Sequence, residues 1–175
     1  PSTPPPTHTH NANPSPTTVP PTPTPTASPT PTTVPPTPTP NVDQHLLIAK
    51  GLFKNGDFIK AIEHFTKALR LNPRQENLYH LRGLTYLKVG QNELAIHDFD
   101  KALKIDPKQV VFYSDRGKAY IELGNYWKAI LDYSRAIEIH PRTADRYYDR
   151  GHAYQKSGNY LKSIDDYSNA IRLDT

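Results

Sequence analysis

The stretch VVFYSDRGKAYIELGNYWKAILDYSRAIEIHP, Val110–Pro141, decides the fold. Apolar and aromatic residues return at three- and four-residue spacing on both sides of Gly124, the period of a helix with one buried face. Gly124 stands where the first helix must end in a left-handed residue. Pro141 follows the second helix and forbids its continuation. The stretch reads as two amphipathic helices joined by a short turn at GNYW.

Working outward, the same frame returns every 34 residues. Gly56, Gly90, Gly124 and Gly158 share one phase, as do Ala61, Ala95, Ala129 and Ser163, and Ala68, Ala102, Ala136 and Ala170. Pro73, Pro107 and Pro141 complete the frame. Four units are expected at 42–75, 76–109, 110–143 and 144–175. Their helices are predicted near 43–54, 58–71, 77–88, 92–105, 111–122, 126–139, 145–156 and 160–173.

The units resemble tetratricopeptide (TPR) repeats. That family places an aromatic at position 4, Gly or Ala at 8, Tyr at 11, Ala at 20, an aromatic at 24, Ala at 27 and Pro at 32. Unit 3 matches with Tyr113, Gly117, Tyr120, Ala129, Tyr133, Ala136 and Pro141. Unit 2 matches with Tyr79, Gly83, Tyr86, Ala95, Phe99, Ala102 and Pro107. Unit 4 has Tyr147, Gly151, Tyr154, Tyr167 and Ala170, and unit 1 is looser, with His45, Ala49 and Leu52. The resemblance implies an all-α, right-handed superhelix of four helix-turn-helix repeats over residues 42–175, preceded by an extended, polyproline-II-like tail over 1–41.

Inside the repeats runs a second pattern. Position 7 is Arg82, Arg116 and Arg150, and position 23 is Asp98, Asp132 and Asp166. Unit 1 has neither and carries Ile48 and His64 instead. Residues that come and go together are expected to pair as bidentate structural ions between packed helices.

Chemistry is harder to find. The chain has no Cys, so no disulfide, thiolate metal site or Cys nucleophile. His8 and His10 lie two apart in the tail without Cys or carboxylate neighbours, and the other histidines share no repeat position. Asp165 and Asp166 are adjacent and point to different sides of a helix. No nucleophile, base and orienter assemble, so no enzyme, metal or cofactor is expected. The net charge of +4 is spread over the repeats without a Lys/Arg run, which argues against nucleic acid, and no apolar run is long enough to span a membrane.

Binding is what the resemblance implies. The first helices of TPR units line a groove, which here would present Leu46, Lys50, Phe53, His80, Leu84, Leu87, Ser114, Lys118, Ile121, Tyr148 and His152. Chaperone-binding relatives clamp a peptide carboxylate with Lys, Asn and Arg at five groove places. Those places here hold Leu46, Lys50, Leu84, Ser114 and Lys118, so the clamp is missing. The apolar and aromatic mixture suits an extended, largely uncharged peptide.

The tail holds 16 of the 19 prolines and no charged residue, and TTVPPTPTP occurs at Thr17–Pro25 and again at Thr32–Pro40. The 15-residue return is five turns of polyproline II, so Val19 and Val34 come back to one face. Thr between prolines also describes O-glycosylated stalks, with Thr17, Thr18, Thr22, Thr24, Thr32, Thr33, Thr37 and Thr39 as candidates. A start at Pro1, with no Met anywhere, leads us to expect a processed form or a segment of a longer polypeptide, extracellular or at the cell surface. Without a polar capping helix after unit 4, Ile164, Tyr167 and Ile171 are expected to lie uncovered at one end, with Leu47 and Ile48 at the other. Such ends invite head-to-tail stacking into a filament or surface appendage of non-catalytic subunits, their glycosylated tails packed on neighbours. The alternative is a monomeric module on a Pro/Thr spacer, binding a peptide in the groove.

Overall fold

The computed structural model describes residues 41–174. They form α1 (Val42–Lys54), α2 (Phe58–Leu71), α3 (Glu76–Lys88), α4 (Asn92–Ile105), α5 (Val110–Glu122), α6 (Tyr126–Ile139), α7 (Ala144–Lys156) and α8 (Tyr160–Leu173), and no strand among the described residues. Residues 1–40 of the tail, with Val19, Val34 and the eight candidate threonines, lie outside the described residues.

The second helix of each unit has the bounds expected from the sequence, and each first helix begins one residue earlier. The reason is local. Asn41, Gln75, Gln109 and Thr143, each just before its helix, take extended backbone angles, and of the four only Asn41 caps with its side chain. At Asn41 the cap is reciprocal: its side chain accepts from the Gln44 N–H, and Gln44 accepts from the Asn41 N–H. Each first helix ends on a glycine with positive φ, 83° at Gly56 and 71° at Gly124. At Gly124 the glycine N–H donates to the Ile121 carbonyl and the Asn125 N–H to the Tyr120 carbonyl, so the last turn closes on itself.

Small residues then set how closely paired helices approach. At position 8 stand Ala49, Gly83, Gly117 and Gly151, facing Phe65, Phe99, Tyr133 and Tyr167. A Cβ on Gly83 would sit 2.7 Å from the Phe99 ring, and one on Gly117 2.9 Å from that of Tyr133. Absent side chains on one helix are filled by aromatic rings from the next, which gives a close-packed seam. Ala61, Ala68, Ala95, Ala102, Ala129 and Ala136 are fully buried along it. The two helices of each unit pack on one another, and α2, α4 and α6 pack on the first helix of the unit that follows, so the order of contacts is the order of the chain.

Candidate binding surfaces

The arginines of position 7 form a ladder. Arg82 donates from Nε and Nη2 to both carboxylate oxygens of Asp98 (2.7 and 2.8 Å), and Arg150 does the same to Asp166 (2.8 Å each). Arg116 donates to Asp132 at 2.8 and 2.6 Å. The remaining Nη1 reaches back to the preceding unit, from Arg82 to Thr66, from Arg116 to Asp100 and from Arg150 to Ser134. Tyr79 and Tyr86 flank the Arg82 guanidinium, and Tyr147 and Tyr154 that of Arg150. Burial opposes the charge on Arg116, but its hydrogen bonds to Asp132 and Asp100 outweigh it and hold the guanidinium charged. Burial raises the carboxyl of Asp132, and Arg116 offsets this only in part. The ladder ties units together and offers no reacting group to a substrate.

Two cavities open along the first helices of the units. A cavity of about 400 Å³ lies between α1 and α3, walled by Leu46, Lys50, Leu78, His80 and Leu81. A second, of about 350 Å³, is walled by Leu84, Leu87, Asp115, Lys118 and Glu122. Phe53 and Ile121 are half-buried and wall neither cavity: Phe53 lies edge-on to Phe58, and Ile121 packs against Ala129, Tyr133 and Ala153. Ser114 and His152 are half-buried and wall neither cavity. Tyr148 stands apart, against Tyr167. His80 and Lys118 are engaged by a buried carboxylate: Asp115 accepts from His80 Nε2 at 2.7 Å and from Lys118 Nζ at 3.0 Å. Burial works against the charge on Asp115, but these two partners prevail and hold it below the usual carboxylate range.

The outer end of α8 breaks the periodicity. Position 28 is Leu69, Leu103, Ile137 and Ile171; the first three are 5, 8 and 8 % exposed, and Ile171 is 70 % exposed. The reason is visible in unit 1, where the cluster that buries Leu69 includes Leu78 and Leu81 of the following helix. Ile164 is 60 % exposed, while its counterparts Ile62, Ile96 and Ile130 are half-buried. Beside Ile171 opens a cavity of about 210 Å³ walled by Ala144, Asp145, Tyr148 and Ala170. Tyr167 is half-buried, its hydroxyl donating to Gln155 at 3.2 Å. At the other end, α1 leaves Leu47 73 % and Ile48 41 % exposed. Polar side chains are tolerated in such inter-unit contacts: Arg146 takes the place of Leu78 and Phe112, its Nε and Nη1 buried without a hydrogen-bond partner among the described residues.

This architecture has known counterparts. Descriptions of the TPR repeat match residues 50–90 and 117–158, and those of the tetratricopeptide repeat match 77–109, 99–130 and 144–175. The chain belongs to the tetratricopeptide repeat family, whose members are modules of protein–protein interaction. It is similar in fold to the crystal structure of MamA, at 24% identity and a TM-score of 0.73, over 77% of this chain and 78% of that one. MamA from Desulfovibrio magneticus RS-1 (residues 41 to the end) aligns at 19% identity and a TM-score of 0.73, over 77% of this chain and 76% of that one. Comparison with curated protein sequences gives no match.

Two arrangements were not read from the sequence. Asp115 was passed over, although Leu47, Leu81, Asp115 and Asp149 share a position and the change from Leu to Asp is the visible signal. His45 and His64 fall at different repeat positions, yet their rings meet across α1 and α2, Nδ1 to Nδ1 at 3.1 Å. Among the described residues no three His, Cys, Asp or Glu converge on a metal position, and no helix is long and apolar enough to cross a membrane.

Proposed function

We propose that this chain is a non-catalytic interaction module whose copies join head to tail, the α8 face of one receiving α1 of the next. One observation carries the reading. Among the described residues Leu69, Leu103 and Ile137 are buried, while Ile171 at the same repeat position is exposed, with Ile164, beside a cavity. Leu47 occupies the position at which Leu81 packs onto the preceding unit, so α1 offers a matching apolar side chain. Successive contacts of this heterologous kind extend into a filament unless the rotation closes a ring. In the same reading the protein is exported, and the Pro/Thr tail carries O-glycans at Thr17, Thr18, Thr22, Thr24, Thr32, Thr33, Thr37 and Thr39 and packs on neighbouring subunits.

The absence of cysteine makes the contact testable. Copies carrying Leu47→Cys, mixed with copies carrying Ile171→Cys, should form disulfide-linked pairs faster than either variant alone. Equal cross-linking in all three mixtures would remove the head-to-tail geometry.

The paired cavities along the first helices support a second reading, capture of an extended, largely uncharged peptide. The labelled peptide TTVPPTPTP should then bind, and Leu84→Glu should abolish the binding. A peptide that ignores Leu84→Glu speaks against groove capture.

A further inference from the structure

Unit 1 lacks the Arg–Asp pair of the other three, and the structure shows what replaces it. Ile48 takes the arginine's place, and His64 that of Asp98, Asp132 and Asp166. His45 stands where the later units have Tyr79, Tyr113 and Tyr147. The two imidazoles lie 5.2 Å apart, centroid to centroid, with ring planes at 59°, and their Nδ1 atoms face one another at 3.1 Å. Both residues are half-buried, so the pair has one open side.

As a hydrogen bond the arrangement needs one Nδ1 protonated and the other bare. It has a second solution. Imidazole nitrogens 2.0–2.1 Å from one ion stand about 3.3 Å apart at the tetrahedral angle and about 2.9 Å apart at a right angle. The observed 3.1 Å lies between them. We propose that His45 and His64 form a metal site, ligating a borderline transition-metal dication such as Zn²⁺, Ni²⁺ or Cu²⁺ through their two Nδ1 atoms.

The chemistry of the donors sets the class of ion. Two neutral imidazoles suit these dications and offer nothing to Mg²⁺ or Ca²⁺, which take oxygen ligands. On binding, the single proton between the rings moves through water to Nε2 of the same ring, so both imidazoles stay neutral. Water fills the remaining coordination positions on the open side. Partial burial, followed by Lys67 and His45, lowers the pKa of His64; Glu63 opposes this weakly, and the net effect favours the unprotonated ring that a metal requires. Because the two ligands lie on α1 and α2, the ion would clasp the helices of unit 1 at the place where the later units carry their ion pair.

The test is calorimetric titration of the full chain with ZnCl₂ and NiCl₂, and MgCl₂ as control, in a His8→Asn/His10→Asn background so that the tail's histidine pair contributes nothing. One Zn²⁺ or Ni²⁺ should bind per chain, with no response to Mg²⁺. His45→Asn should weaken binding by about tenfold or more. Ile48→Arg combined with His64→Asp, which installs the pair found in the other units, should do the same while keeping unit 1 folded. Substoichiometric Cu²⁺ should broaden the ring resonances of His45 and His64 before those of His80, His97, His140 and His152. Unchanged affinity in both variants, or broadening that spares His45 and His64, overturns the assignment.

Discussion

Replacing Arg116 by leucine removes three hydrogen bonds and leaves Asp132, whose side chain is 5 % exposed, as a buried carboxylate without its guanidinium. Breaking one side of such a pair costs about 3–5 kcal/mol, because the remaining charge stays desolvated. Removing both charges is a different perturbation. In Arg116→Leu/Asp132→Leu nothing charged is left in the seam, and burial already works against the Asp132 carboxylate in the intact pair. The double variant should lie within about 1 kcal/mol of the parent. Asp132→Leu alone should fall between them, since Arg116 keeps Asp100 and reaches water. Urea unfolding at pH 7 measures all four proteins. The pH dependence has a definite sign. In Arg116→Leu the folded pKa of Asp132 lies above its ordinary 3.8, so the penalty is absent below that pH and grows as pH rises through the folded value. An Arg116→Leu variant within 1 kcal/mol of the parent, or a double variant as unstable as the single, would refute the reasoning.

Two further outcomes follow from the same structure. Gly51→Ala places a methyl in open space within α1 and should raise stability by about 0.5–1 kcal/mol, while Gly124→Ala, at φ 71°, should lower it by about 1–2 kcal/mol; urea midpoints separate the two. Asp115 is held below its ordinary 3.8, so its contribution is present above that pH and lost as pH falls through the folded value. The stability gap between the parent and Asp115→Asn should therefore narrow as pH falls below about 4.

Much of this architecture is legible in the sequence because a repeat prints its geometry several times. Gly124 and Pro141 mark turns whose backbone only certain residues serve; three sister glycines repeat the first and two sister prolines the second. The early start of α1 turns on the cap that Asn41 makes with Gln44, a two-residue signal that helical periodicity does not contain. The back-reach of each Arg Nη1 was also present in principle: position 25 is Thr66, Asp100, Ser134 and Ser168, always an oxygen acceptor. The His45–His64 contact was not legible, because it arises where unit 1 departs from the pattern and periodicity has nothing to compare. Groove residues were harder than core residues for a related reason. Phe53 and Ile121 have the spacing of a lining residue, but each is half-buried against neighbouring rings or alanines, which spacing alone does not show.

Sedimentation velocity over a hundredfold range of concentration tests the head-to-tail account most directly. Growth of the sedimenting mass with concentration in the parent, and a single-chain mass at every concentration in Ile164→Lys/Ile171→Lys, is the predicted result. A parent that sediments as one chain throughout would contradict it.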